Sequence, residues 1–184
     1  WLRDAVAPGE AFERLVDEAE RWAPGSEGLT FLPYLAGERT PHADPHARGA
    51  FVGLSLRHDR GALVRACLEG VAYGLRDALE LLRELGLEPG TARVSGGGAR
   101  SDLWLRIVAS VLGVTLERTA AEEGAAYGAA LLAGVAARTF HSVEDAVAHS
   151  VRAQSSVDPV DAWREPYEEG YDRFRRLYPA LREV

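Results

Sequence analysis

Three consecutive glycines stand in the run VSGGGARS, which covers residues 94–101. Glycine loses more backbone entropy on folding than any other residue, so such a run indicates that something approaches the main chain there. A strand that ends in glycines and opens directly into a helix directs backbone N–H groups and the positive helix end to one place. Gly96, Gly97, Gly98 and Ser101 are therefore candidates for binding a phosphate or the polar edge of a nucleoside. A tight turn without a ligand, with Ser101 as a helix cap, fits the same residues.

The same run also supports a different nucleotide chemistry. Gly96 and Gly98, followed by Ser101, approach the dinucleotide-binding fingerprint of Rossmann folds, with serine in place of the third glycine. Glu117 stands near the end of the next predicted strand, where an acidic residue could hold a ribose hydroxyl. Because the third glycine normally permits close helix packing, the pattern is imperfect. It remains an alternative at this point.

A second glycine pattern lies in EEGAAYGAALLAG, residues 122–134. Gly124 and Gly128 are four residues apart among alanines, so this predicted helix can approach a neighbouring backbone closely. Glu122 and Glu123 lie at its start, the end of a helix that favours acidic side chains. Close packing explains most of these positions. The helix start is also a candidate wall for a ligand.

The loop GERTPHADPHARG, residues 37–49, gathers several polar side chains. His42, Asp44 and His46 alternate, but the loop offers no complete metal-ligand set and no helical i, i+4 pair. We therefore predict no metal site in this chain. We expect these residues to organise the loop, together with three charged side chains that form ion pairs or face a neighbouring domain: Glu38, Arg39 and Arg48.

Composition limits the classes of function. The chain has 184 residues, 47% of them hydrophobic and 27% charged, which suits a single globular domain. The net charge of −7 argues against binding nucleic acid, and no apolar run is long enough to cross a membrane. Since Cys67 is the sole cysteine, no internal disulfide can form, and we expect a cytoplasmic protein with Cys67 in the core.

Two missing residue types carry further information. The sequence contains no lysine, which excludes Walker-type and Schiff-base chemistry in this chain. It also contains no methionine and opens on Trp1, from which we expect a piece of a longer protein. A domain separated from its partner exposes a partly apolar face, so a homodimer is an expected form of the isolated chain.

Hydrophobic periodicity predicts the elements that position these motifs. Strand and helix alternate through the second half, which favours an α/β fold with parallel strands. The predicted helices cover residues 9–22, 61–85, 101–112, 124–137, 143–150 and 165–178. The predicted strands cover residues 29–35, 51–56, 91–96 and 114–118, and an extended segment covers 155–160.

Four segments in this order resemble the carboxy-terminal domain of the FGGY family of carbohydrate kinases. They are FLPYLAGERTPHADPHARGAFVGLSL, LVRACLEGVAYGLRDAL, VSGGGARSDLWLRIVASVLGVTLER and EEGAAYGAALLAG, within residues 29–134. Within that family, PYLAGERTPH followed by DPHARG is most similar to the xylulokinase branch. The resemblance implies a ribonuclease-H-like, actin-type ATPase fold, a mixed sheet flanked by helices. It implies that the chain, 1–184, is the nucleotide-side domain and that the amino-terminal sugar-binding domain is absent.

The resemblance also implies an activity and its participants. The whole enzyme would use ATP and Mg²⁺ to phosphorylate a sugar, with D-xylulose giving D-xylulose 5-phosphate as the favoured reaction. Gly97 and Ser101, flanked by Gly96 and Gly98, match the positions that contact the nucleotide. The catalytic aspartate of the family matches a position upstream of Trp1, so no catalytic residue is expected in this chain, which would be inactive alone. An actin-like nucleotide-binding module without enzymatic activity stays open as a further alternative.

Overall fold

A computed structural model describes residues 1–120 and 124–183. Within them lie the helices α1 (Leu2–Val6), α2 (Phe12–Glu20), α3 (Arg60–Glu84), α4 (Asp102–Leu112), α5 (Gly124–Ala136), α6 (Val143–Ser150) and α7 (Arg164–Leu181). The strands are β1 (Thr30–Leu32), β2 (Ala50–Val52), β3 (Thr91–Val94), β4 (Thr115–Thr119) and β5 (Ala153–Val157). Among the helices described, none is both long and apolar enough to cross a membrane.

The strands form two sheets, one antiparallel and one of mixed direction. β1 and β2 pair antiparallel, whereas β3, β4 and β5 form a sheet in which β3 and β4 run parallel and β5 runs antiparallel to β4. The expectation of parallel strands in the second half of the chain is therefore correct for β3–β4 and wrong for β4–β5. One helix, α4, connects β3 to β4 and returns the chain to the same direction. Two helices, α5 and α6, connect β4 to β5, so the chain comes back reversed.

Helix α3 is the central element of the core. Its start is capped by the Asp59 carboxylate, which accepts a hydrogen bond of 3.0 Å from the Ala62 N–H. Its end is followed by Gly86 at φ +81°, whose N–H donates to the Arg83 carbonyl, as in a glycine cap. α3 packs against α2, α4 and β1. The core continues through fully buried side chains on the neighbouring elements: Leu32, Leu105, Ile107, Leu116 and Phe174.

Two glycines on α3 predict opposite effects of the same substitution. A Cβ at Gly70 would overlap the Phe31 carbonyl oxygen, because β1 lies directly on the helix there. A Cβ at Gly74 would meet only Pro33 Cγ, at 4.0 Å. We expect Gly74→Ala to raise the free energy of unfolding by up to about 1 kcal/mol, the helix-propensity gain over glycine. We expect Gly70→Ala to lower it by at least about 1 kcal/mol through overpacking.

Chemical denaturation of both variants measures this difference. Since the two positions share one helix and one substitution, helix propensity cancels between them. Equal effects at Gly70 and Gly74 would contradict the close approach of α3 to β1.

A buried polar network joins α3 to α7 and to the segment before β1. Arg65 and Glu69 are 1% and 2% exposed, and Arg65 Nε donates to Glu69 Oε1 at 2.7 Å. Arg65 Nη2 donates to the Tyr167 hydroxyl at 2.6 Å. The same carboxylate accepts from the Gly25 N–H and from Ser26 Oγ, each at 3.0 Å. Burial raises the pKa of Glu69, against the opposing pull of Arg65.

Candidate functional site

The glycine turn follows the end of β3. Gly96 adopts φ +85°, a left-handed conformation that glycine tolerates without strain. A short 3₁₀ helix then covers Gly97–Arg100, and Ser101 caps α4 by accepting a hydrogen bond of 3.3 Å from the Trp104 N–H. The capping prediction for Ser101 is confirmed. The expectation that the glycines open directly into the helix is wrong, because a turn of 3₁₀ helix separates Gly96 from α4.

The backbone of this turn is open on its outer side. Ser95, Gly96, Gly97 and Gly98 are all exposed. A Cβ at Gly96 or Gly97 would meet no atom within 4 Å, whereas a Cβ at Gly98 would lie 3.2 Å from Trp104 Nε1. Only Gly96, with its positive φ, and Gly98, against the indole, therefore have a structural reason to be glycine. Neither reason applies to Gly97, whose missing side chain leaves free space above the main chain.

Two cavities flank the end of β3 and share Arg93, Val94 and Ser95. The larger, about 480 Å³, lies between β3, β4, α5 and the end of α6. The smaller, about 350 Å³, lies between the turn and α4, where it is lined by Gly98, Trp104 and, from α3, Leu75. The turn thus stands between two recesses.

Helix α5 forms one wall of the larger cavity. A Cβ at Gly124 would lie 2.6 Å from Ser95 Oγ, so the close-packing interpretation holds at the helix start. At Gly128 a Cβ would meet nothing within 4 Å, and this residue lines the cavity. The Tyr127 hydroxyl donates to the Ser150 carbonyl at 2.6 Å and ties α5 to α6. Close packing is therefore observed at Gly124, and Gly128 lines a cavity one helical turn further on, while the binding of a ligand at this wall stays a prediction. Glu122 and Glu123 lie outside the described residues.

The charges at the turn favour a nucleoside over a bare phosphate. Asp102, the first residue of α4, places a carboxylate at the positive end of that helix. Arg118 pairs with this carboxylate. A phosphate at the helix start would therefore compete with a carboxylate already there. The open backbone of Gly96 and Gly97 suits a flat, uncharged ligand surface instead.

The dinucleotide-binding alternative depends on Glu117, and the structure does not favour it. Glu117 lies in the middle of β4 and not at its end. Its register partner on β3 is Arg93, and the two side chains pair at 3.5 Å between Arg93 Nε and Glu117 Oε2. An acidic group that is paired across the sheet in this way is not presented to a ribose.

Arg118 is a residue of the site that the sequence analysis missed. On β4 it follows Leu116 by two residues, so the strand period places it on the same face as a buried leucine. It contacts the Ala99 carbonyl within the glycine turn at 2.9 Å. An arginine on the buried face of a strand is an available signal, but its partner depends on tertiary structure.

The loop 37–49 is organised by hydrogen bonds and ring stacking. Glu38 and Asp44 exchange backbone hydrogen bonds of 2.7 and 2.8 Å, and Asp44 Oδ2 accepts from the Tyr178 hydroxyl at 2.9 Å. Hydrogen bonds, first from the His46 N–H and then from Tyr178, lower the pKa of Asp44. The His42 ring stacks on that of Tyr178, with centroids 3.7 Å apart. The prediction that these residues organise the loop is confirmed.

The charged residues of this loop differ from the prediction in their partners. Arg48 donates to the Pro45 and Ala47 carbonyls, and Glu38 accepts from backbone N–H groups, including that of Arg39. Backbone groups are thus the partners of the Glu38 and Arg48 side chains, and the alternative that these residues face a neighbouring domain stays a prediction. In the part of the chain that the structure describes, no group of three or more His, Cys, Asp or Glu side chains could hold a metal ion. Half-buried Cys67 packs beside the smaller core cluster, and burial raises its pKa to about 11.

Comparison with known proteins identifies the family. Residues 1–137 match the C-terminal domain of the FGGY family of carbohydrate kinases. The chain belongs to this family. It is 34% identical to the xylulose kinase of Staphylococcus epidermidis over the whole chain and 37% of that protein. The solved xylulose kinase of Lactobacillus acidophilus superposes with a TM-score of 0.91 at 28% identity, covering 98% of this FGGY chain and 37% of the other. The solved xylulose kinase of Rhodospirillum rubrum superposes with a TM-score of 0.85 at 37% identity, covering 100% of this chain and 37% of the other.

These comparisons confirm the fold class. The FGGY chain has the mixed α/β fold of FGGY kinases, the actin-like ATPase fold, with a mixed sheet flanked by helices. It spans slightly more than a third of the length of these relatives. The assignment of Gly96, Gly97, Gly98 and Ser101 to a nucleotide stays a prediction.

Proposed function

We propose that this chain, residues 1–184, is the carboxy-terminal, nucleotide-side domain of an ATP-dependent sugar kinase. The acceptor we propose is D-xylulose, which the whole enzyme would convert to D-xylulose 5-phosphate. Support for the sugar comes from the xylulose kinases to which the whole chain is similar. We place the enzyme in the cytoplasm, in agreement with the absence of any internal disulfide.

The observation that carries this proposal is the open glycine turn between two cavities. Gly97 presents bare backbone to the outside, and Ser95 separates a recess of about 480 Å³ from one of about 350 Å³. Ligand sites of this size are usual for small molecules. A nucleoside lying against Gly96 and Gly97 would have its base or sugar edge in one recess and its phosphates directed away from Asp102.

The described residues are suited to contact ATP directly but not Mg²⁺. The described residues supply open backbone and cavity walls for a nucleoside but no cluster of metal ligands. Mg²⁺ would therefore be held mainly through the phosphates of ATP, as hard cations with few protein ligands commonly are. Bound Mg²⁺ would neutralise charge on the transferred phosphoryl group. No residue of this chain is proposed as catalytic, and the base that accepts the sugar proton would come from outside it.

Helix α3 offers a face for the remainder of such an enzyme. Three exposed apolar residues of α3 and the one that directly follows it lie 4, 7 and 3 residues apart, the spacing of a helix-packing seam: Val71, Leu75, Leu82 and Leu85. Leu75 also lines the smaller cavity, so this seam reaches the glycine turn. More than half of each similar xylulose kinase lies outside the matched region. We propose that this part packs on α3, and that two isolated chains can pair through the same face as a homodimer.

Calorimetric titration of the purified chain with Mg·ATP and with NAD⁺ tests the proposal. We expect one Mg·ATP per chain and no heat from NAD⁺. A coupled assay for ADP release with D-xylulose should give no turnover by this chain alone. Tighter binding of NAD⁺ than of Mg·ATP would overturn the nucleotide class, and D-xylulose-dependent ADP release would overturn the placement of the catalytic base outside the chain.

A further inference from the structure

We propose that Arg118 is the positioning residue that holds the glycine turn in its nucleotide-binding shape. This inference rests on the proposed function, since it assigns a role within that same site. Arg118 lies on β4 directly beside Val94, the last residue of β3 before the turn. Its side chain is 23% exposed and reaches from the sheet to the turn.

The guanidinium group of Arg118 contacts three separate parts of the chain. Its Nε donates to the Ala99 carbonyl at 2.9 Å, inside the 3₁₀ helix that follows Gly96. Its Nη2 donates to the Asp102 carboxylate in the first turn of α4. Its Nη1 lies 3.4 Å from Ser155 Oγ on β5. One planar fork therefore connects the turn, the start of α4 and the sheet.

These contacts act on binding in two ways. Charge-assisted hydrogen bonds from a rigid guanidinium fix the position of the Ala99 carbonyl relative to the sheet. An exposed, glycine-rich turn would otherwise have to be ordered by the ligand, which weakens binding. The pairing with Asp102 also places a positive charge beside a carboxylate that would otherwise repel an anionic nucleotide. Arg118 touches no ligand in this account and acts through the turn.

Arg83, on α3, provides a matched control, because it contacts the opposite end of α4. Its Nη1 donates to the Glu80 carboxylate at 2.8 Å, and its Nη2 donates to the Leu112 carbonyl at 3.2 Å, in the last turn of α4. Arg83 thus bonds to one carboxylate and one carbonyl, as Arg118 does, although its carboxylate partner, Glu80, lies on α3 and only its carbonyl partner lies on α4. It does not line either cavity at the glycine turn.

The experiment compares Arg118→Gln, Arg118→Lys and Arg83→Gln in the 184-residue chain. The first readout is the Kd for Mg·ATP, and the second is rapid hydrogen exchange at the backbone amides of Ala99 and Ser101. Those amides donate to the Gly96 and Gly98 carbonyls and so report the shape of the turn without any ligand. We expect Arg118→Gln to weaken Mg·ATP binding about tenfold or more and to speed exchange at both amides. Arg83→Gln should change neither readout.

Arg118→Lys keeps the positive charge but not the planar fork, so the turn loses its fixed geometry while the pairing with Asp102 stays available. The lysine variant replaces the glutamine variant in the experiment if the latter does not fold. Compared with Arg118→Gln, it should cause a smaller increase in amide exchange and a smaller loss of Mg·ATP affinity. Unchanged exchange in folded Arg118 variants would overturn the inference, whatever their Kd. If the unsubstituted chain does not bind Mg·ATP, the proposed function fails and the binding role of Arg118 fails with it. Exchange that still responds to Arg118 would then show that only the structural part of the role stands.

Discussion

Gly97→Val is expected to leave the unfolding midpoint of the chain unchanged and to weaken Mg·ATP binding at least about tenfold, which is about 1.4 kcal/mol. The fold tolerates the substitution because a Cβ at this position meets no atom within 4 Å and the backbone lacks a positive φ. The added isopropyl group would stand on the exposed side of the turn, two residues from Ser95, which lines both cavities. A nucleoside lying against the main chain would collide with it.

Gly90 is the matched control for this substitution. It precedes β3, a Cβ there also meets nothing within 4 Å, and its φ is not positive. It lies at the opposite end of β3 from the glycine turn. Gly90→Val should therefore change neither stability nor binding. Gly96 is less informative, since its φ of +85° makes any side chain strained. Equal Kd values for the Gly97→Val and unsubstituted chains would remove the turn from the nucleotide site.

Arg65→Met is expected to lower the free energy of unfolding by about 3–5 kcal/mol, the usual effect of leaving one member of a buried ion pair without its partner. Glu69, at 2% exposure, would keep the Gly25 and Ser26 hydrogen bonds but lose its counter-charge. The loss should shrink as the pH falls. Burial raises the pKa of Glu69 in the folded state above its value in the unfolded state, so the folded state binds a proton more readily. The free energy of unfolding therefore falls as the pH rises from the unfolded-state pKa to the folded-state pKa.

Arg14→Met is the control, because Arg14 also pairs with a glutamate four residues away. Its Nη1 lies 3.4 Å from Glu10 Oε2, and its side chain is 66% exposed. Exposed pairs of this kind contribute at most about 1 kcal/mol. Urea denaturation at two pH values measures both variants. A loss at Arg65 no larger than the loss at Arg14 would show that the network contributes little to the stability of the fold.

Local patterns in the sequence predict much of this fold. The helix predicted over residues 143–150 has those bounds in the structure, because Ser142 caps it and its apolar spacing is regular. Regular apolar spacing also predicts the strand before the glycine turn and the helix after it. Strand direction was predicted less well. The reversal at β5 results from the pairing of α5 with α6, which no local pattern reveals.

The candidate site divides in the same way. The glycines and Ser101 are visible in the sequence because their conformational needs are local. Arg118 was missed because its partner in the turn, Ala99, is 19 residues away, and the Arg65–Tyr167 hydrogen bond spans 102 residues. Glu117 looked available to a ribose only until its partner across the sheet, Arg93, was known. Side chains whose roles depend on distant partners are therefore the part that the sequence could not supply.

The most direct test of the nucleotide site is an amide-resolved NMR titration of the chain with Mg·ATP. The largest shift changes should fall on residues 95–101 and on the cavity-lining start of α5, from Gly124 to Gly128. The cavity lined by Arg76, Arg83 and Arg164 lies elsewhere on the molecule and should show no comparable change. Shift changes centred on this arginine-lined cavity would contradict the assignment of the glycine turn to the nucleotide. The absence of shift changes at the turn at saturating Mg·ATP would contradict it as well.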